Sequence, residues 1–211
     1  MSAAREAILA RIANAVGGAQ PPASVAREYR RTGQRVPAER VALFFERVGE
    51  YRADVRRIAA DEVAGAVAAV CRELGARRLA VPVELPAAWR PAEVELVEDT
   101  GLTPRELDAL DGVLTGSTLA IAETGTIVLT AGTTEGRRAL TLVPDLHVCV
   151  VEEAHIVELV PEAIAQLSDL VAHERRPVTL VSGPSATSDI ELSRVEGVHG
   201  PRTLVVLLTS A

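Results

Sequence analysis

A chain of 211 residues, 48% of them hydrophobic, can bury roughly 70% of its unfolded surface and needs no disulfide or metal staple. Only five residues are aromatic, Tyr29, Phe44, Phe45, Tyr51 and Trp89, so the core must be built from Ala, Val, Leu and Ile, as in an α/β sandwich with buried strands. The net charge of −7 and the scarcity of stacking side chains exclude nucleic acid as an expected partner, and the absence of Lys excludes chemistry through a Lys nucleophile or Schiff base.

Residues 3–16 read as a helix with Ile8, Leu9, Ile12 and Val16 on one face. The segment lacks the apolar run of a signal peptide, and no stretch approaches the ~18 apolar residues of a membrane span, so a cytoplasmic protein is expected. Gly17-Gly18 and Pro21-Pro22 end the helix. Residues 17–36 form a Gly/Pro/Arg-rich stretch in which Arg27, Arg30, Arg31 and Arg35 outnumber Glu28. The domain expectation is therefore an N-terminal arm, 1–36, followed by one α/β domain, 37–211.

Pro37 opens a second helix towards Tyr51, with Val41, Leu43, Phe44, Phe45 and Val48 apolar. An alternation follows. Residues 54–58 read as a strand, 61–75 as a helix with Asp61 as N-cap and Gly75 as stop, and 77–81 and 94–98 as strands. Residues 103–110 carry a full helix-start signal, with Thr103 before Pro104 and Glu106 at the third position. Strands are expected around 113–116, 119–123, 126–130 and 147–151, then a helix over 161–172. The runs 178–182 and 203–209 are continuously apolar and so are expected at the centre of the sheet. The fold class implied is a three-layer α/β/α sandwich with a mostly parallel sheet, plus the N-terminal helical arm. No dinucleotide fingerprint and no P-loop is present.

The two cysteines, Cys71 and Cys149, stand far apart in apolar runs and cannot by themselves supply the four thiolates of an iron–sulfur cluster. No metal site is expected, because Asp145 and His147 are two ligands and a site needs more; a structural Asp145–His147 hydrogen bond is the expected arrangement. His155 and His173 read as surface residues.

Three stretches carry more polar residues than their positions require. The first is Thr115-Gly116-Ser117-Thr118 leading into IAETGT; within 119–130, LAIAETGTIVLT, a carboxylate interrupts a buried strand. An unpaired Glu123 inside a packed sheet would be costly. Thr124-Gly125 fits a tight hairpin turn, with Thr126 starting the return strand. Glu123 then lies at a strand end, as nucleophile, general base or ligand-orienting group; a structural tie between the hairpin and an Arg is the alternative. The second stretch is 141–151. In the third, Gly183-Pro184-Ser185 leads through Thr187, Asp189 and Glu191, either as an anion-binding loop after a parallel strand or as a helix-capping box. His199-Gly200-Pro201-Arg202 follows, with Arg202 placed to clamp a carboxylate or phosphate or, alternatively, as part of a strained turn.

Together, IAETGTIVL, LVPDLHVCVVEEAHIV, SGPSATSDIE and GVHGPR resemble, in order, the LUD domain of the lactate-utilisation protein C family (LutC/YkgG), over about residues 36–209. The resemblance implies a fold like that of ribose-5-phosphate isomerase, glucosamine-phosphate deaminase and the CoA-transferases. It implies a role in oxidising L-lactate to pyruvate as the subunit that binds no cofactor itself, beside partner proteins carrying iron–sulfur clusters. It assigns no catalytic residue. The motif positions make Glu123 the candidate catalytic residue. The candidate ligand-binding set is Thr124, Gly125, Thr126, Gly183, Ser185, Thr187, Asp189, Glu191, His199, Gly200 and Arg202, with Asp145 and His147 behind it. Ala186 departs from the pattern, where a basic residue is expected after GPS. The expected ligand is a small carboxylate or other anion, and a homo-oligomer remains open. Two other readings stand beside this one: an independent enzyme on phosphorylated or CoA-linked substrates with Glu123 as base or nucleophile, and a non-catalytic ligand-binding or assembly module.

Overall fold

The computed structural model describes residues 3–17, 26–187, 195–196 and 199–210. The chain divides into two compact units, 1–30 and 31–211. In the first, α1 (Ala3–Val16) is the predicted helix, and none of its residues is buried.

The second unit contains, in chain order, α2 (Pro37–Glu50), β1 (Asp54–Ala59), α3 (Val63–Leu74), β2 (Arg78–Val81), β3 (Glu95–Glu98), α4 (Pro104–Asp108), β4 (Gly112–Thr115), β5 (Leu119–Ile121), β6 (Thr126–Leu129), β7 (Leu146–Glu152), β8 (Ile156–Val157), α5 (Val160–Asp169), β9 (Thr179–Val181), β10 (Ala186–Thr187), β11 (Val195–Glu196) and β12 (Thr203–Ser210). Start signals act as expected. Thr103 accepts from the Glu106 N–H while Glu106 reaches back to the Thr103 N–H, and Pro37 and Pro104 occupy first turns. The start of α3 differs. A short turn, Ala60–Glu62, precedes it, and Glu62 rather than Asp61 supplies the capping carboxylate, accepting from the Ala59 N–H at 3.0 Å.

Six strands form one parallel sheet in the order β1-β12-β7-β4-β2-β3. β12 is central, as its unbroken apolar run predicts, and six of its eight residues are buried. One face packs on Val63, Val67, Val70 and Cys71 of α3. The other packs on Val41, Phe44 and Val48 of α2 and on a second sheet, where the sequence pattern implies a single one. That sheet runs β8-β5-β6-β9, and α5 covers its far side through Ala163 and Leu167.

β9 corrects an expectation. It lies at the edge of the second sheet, antiparallel to β6, with Leu180 56% exposed. Its apolar run implies two-sided burial, but in a three-residue edge strand Val181 packs on the core and Leu180 faces out.

Residues 31–36 belong to the second unit. Glu158, almost fully buried, accepts from the Arg35 N–H and from Arg35 Nη1, both at 2.7 Å, and the Gly33 N–H donates to Glu162 at 2.9 Å. The Arg35 backbone hydrogen bond is the main reason the Glu158 carboxyl sits below the usual carboxylate range. Among the described residues no helix is long and apolar enough to cross a membrane.

Candidate functional site

β5 and β6 form the predicted hairpin. The Gly125 N–H donates to Ala122 O, and Gly125 takes φ +58°, with the backbone of Arg47 so close that a Cβ would lie 2.7 Å from its carbonyl carbon. The hairpin turn therefore rests on the end of α2. β9 pairs with β6, which brings Ser182 beside the turn. Thr126 Oγ1 lies 2.7 Å from both Thr124 Oγ1 and Ser182 Oγ, a chain of three hydroxyls joining the ETGT and GPS motifs. Gly183 follows with φ +109°, where a Cβ would meet Tyr51 Cβ at 2.6 Å.

The GPS and HGP segments are stitched together. The Ser185 N–H donates to Pro201 O, and the His199 N–H donates to Ser185 Oγ at 3.1 Å. Between them and the turn Arg138–Thr141 lies a cleft of about 350 Å³, lined among others by Arg138, His147, Ser182, Ser185 and His199. His147 and Leu204 are register partners near the amino ends of β7 and β12, so the cleft sits at the amino edge of the parallel sheet. This corrects the expectation of a loop at a strand's carboxyl end, because β9 does not belong to the parallel sheet. A larger groove of about 1130 Å³ adjoins it, sharing Arg138, Leu142, His199 and Gly200, and adding Asp108, Asp111, Asp145 and Arg202.

His147 is 2% exposed, and its Nε2 lies 2.8 Å from Thr115 Oγ1. Burial pushes its pKa down to about 4, so the ring is neutral at pH 7. The expected Asp145–His147 bond does not form. Asp145 instead pairs with Arg202 at 2.5 Å, both side chains being more than half exposed. Such a solvated pair stabilises little and opens readily to a competing anion. Arg138 is exposed, lines both clefts, and has no ion-pair partner among the described residues. The Ser185 hydroxyl accepts from His199, which leaves its own proton available for donation. The cleft thus offers a guanidinium, a hydroxyl donor and a neutral imidazole, a set suited to a small anion.

The site residues read from the sequence divide accordingly. Gly183, Ser185, His199 and Gly200 come together in the smaller cleft, with His147 behind them, and Asp145 and Arg202 line the groove. Thr124, Gly125 and Thr126 support the loop through Ser182 without lining the cleft. Glu123 is exposed at the turn; its N–H donates to Glu158 O, and its side chain is not among those lining either cavity. Thr187 lies on β10, and Asp189 and Glu191 fall outside the described residues.

Sequence reasoning missed Arg138 and Ser182; it placed Thr115 in a polar stretch but gave it no role. Arg138 carried a signal, an Arg pair directly after Thr-Glu-Gly. The same segment holds Glu135, 2% exposed, whose carboxylate accepts from Thr118 Oγ1 and the Thr130 and Gly132 N–H groups and so ties the loop before Arg138. Both cysteines are buried, and burial raises Cys71 to about 11 and Cys149 to about 12, far from reactive thiolates. No group of three or more His, Cys, Asp or Glu among the described residues is placed to hold a metal.

Comparisons with known proteins agree with this architecture. The LUD domain model matches residues 87–209. "Lactate utilization protein C" of Deinococcus radiodurans is 47% identical over 173 residues, 81% of this chain and 80% of that one. A protein of the same name from Shouchella clausii is 30% identical over 105 residues, about half of this chain and 45% of its own length. The crystal structure of a DUF162 family protein from Deinococcus radiodurans superposes with a TM-score of 0.73 at 39% identity, covering 83% of this chain and 99% of that one. The chain therefore belongs to the LUD-domain family of lactate utilization protein C.

Proposed function

We propose that this chain serves in lactate utilisation as the component of a system that oxidises L-lactate to pyruvate, with its smaller cleft holding a small carboxylate. The oxidation removes two electrons and two protons from lactate. On this reading the electrons pass to iron–sulfur clusters in partner proteins, since two cysteines cannot supply four thiolates. The observation that carries the reading is that Arg138, Ser185 and His147 line the same cleft of about 350 Å³, which offers a small carboxylate a cation and a hydroxyl donor. The name of the Deinococcus relative, matched over four-fifths of both chains, supports the process. One feature favours a second reading, an enzyme on a larger phosphorylated or CoA-linked substrate: the adjoining groove of about 1130 Å³ with Arg138 and Arg202 on its walls.

Affinity purification of the tagged chain from lactate-grown cells of its source tests the first reading. Brown, cluster-bearing partners and lactate-dependent dye reduction are expected, with the reduction falling at least ~10-fold in Arg138→Ala while the assembly persists. A colourless chain eluting alone, inactive towards lactate and unable to bind it, overturns the reading.

A further inference from the structure

We propose that His147 determines which carboxylate the cleft prefers: its Nδ1 accepts a hydrogen bond from the α-hydroxyl of a hydroxy-acid anion, so that L-lactate binds in preference to pyruvate. The inference rests on the carboxylate reading of the cleft and adds the group that tells the two acids apart.

The argument begins at Thr115. Its hydroxyl has one proton. That hydroxyl lies 2.9 Å from Gly116 O, which can only accept, 3.9 Å from Cys149 Sγ and 2.8 Å from His147 Nε2. We assign that proton to Gly116 O; the oxygen then accepts, and Nε2 carries the hydrogen. The neutral ring then holds its lone pair on Nδ1. Among the described residues Nδ1 has no hydrogen-bond partner. It is not sealed in the core either, because among the described residues the one fully buried side-chain nitrogen or oxygen without a partner is Arg40 Nε. The opening left to it is the cleft that His147 lines. A lone-pair acceptor there matches a hydroxyl and opposes a ketone, which has no proton to give. Arg138 and Ser185 meet the carboxylate common to both acids and do not distinguish them. The low pKa of His147 keeps this acceptor in place through the physiological range.

Two measurements test the assignment. Long-range ¹⁵N–¹H spectra at pH 7, assigned by difference against His147→Gln, are expected to show a protonated Nε2 and a bare Nδ1; the opposite tautomer overturns the proposal. Calorimetric titration with L-lactate and with pyruvate is expected to show lactate roughly 10-fold tighter in the native chain. In His147→Gln, whose amide can still meet Thr115, the preference collapses towards unity, with the loss falling on lactate more than on pyruvate. Thr115→Val keeps the ring but frees its tautomer, and lowers the preference without removing it. Equal affinities in the native chain overturn the role of His147 and leave the carboxylate reading standing. Failure to bind either acid removes both.

Discussion

His147 is held neutral by burial, and that has a consequence for stability. Its folded pKa of about 4 lies below the ordinary 6.5, so between these values the unfolded chain binds a proton that the folded chain refuses. Stability from this group is therefore fully present above pH 6.5 and is lost as pH falls towards 4, by about 3 kcal/mol in all. Denaturant titrations from pH 7 to 4 are expected to show this slope in the native chain and its flattening in His147→Gln. An unchanged slope in the variant would mean that the carboxylates alone set the acid limit. Gly183 makes a second test at this scale. With φ +109° and a would-be Cβ 2.6 Å from Tyr51 Cβ, Gly183→Ala is expected to destabilise by about 1–3 kcal/mol and to loosen the loop carrying Ser185. Ligand affinity should drop with it. Sequence spacing showed that Asp145 and His147 share a strand face, but their partners, Arg202 and Thr115, lie 57 and 32 residues away, and period-two alternation contains no such information.

Among the elements, α2 does more than cover the sheet. Phe44 is fully buried between α2, the central strands and the second sheet, while the end of the helix receives Gly125 and Gly183. Phe44→Ala removes the largest fully buried side chain and is expected to cost about 3–5 kcal/mol, seen as a lower midpoint in denaturant. Because both motif loops rest on α2, the site should loosen before global unfolding, and amide exchange of residues 122–126 and 182–186 in this variant is the measurement that checks it. Thr103→Ala, in a solvent-exposed capping box that lines neither cavity, should cost only about 1 kcal/mol and leave ligand binding intact. Elements with local signals, such as the Thr103-Pro104 cap, the Pro37 start and the apolar β12, were legible in the sequence because their causes lie within a few residues. The division into two sheets was not, because β8 has only two residues and β9 is an edge strand whose apolar run imitates a central one. Packing partners decide such short strands, and propensity does not.

At the scale of the whole molecule, the two units make a prediction about where the chain can be cut. The Gly/Pro/Arg composition of 17–36 suggests one continuous arm, yet its last residues are joined to the main unit by the Arg35–Glu158 and Gly33–Glu162 hydrogen bonds. Composition cannot reveal this, because the partners lie more than 120 residues away. A chain beginning at Arg31 keeps every one of these bonds and is expected to melt at the temperature of the full chain. A chain beginning at Pro37 loses them. Glu158, whose side chain is only 4% exposed, and Glu162 would then each lack an N-terminal partner, and the melting temperature should drop by several degrees. The drop should be largest above the carboxylate pKa range, where both groups are charged, and should shrink as pH falls and they protonate, since their folded pKa values are depressed. Equal melting temperatures for the two shortened chains would show that these hydrogen bonds are made without stabilising the fold, and would move the start of the domain to Pro37.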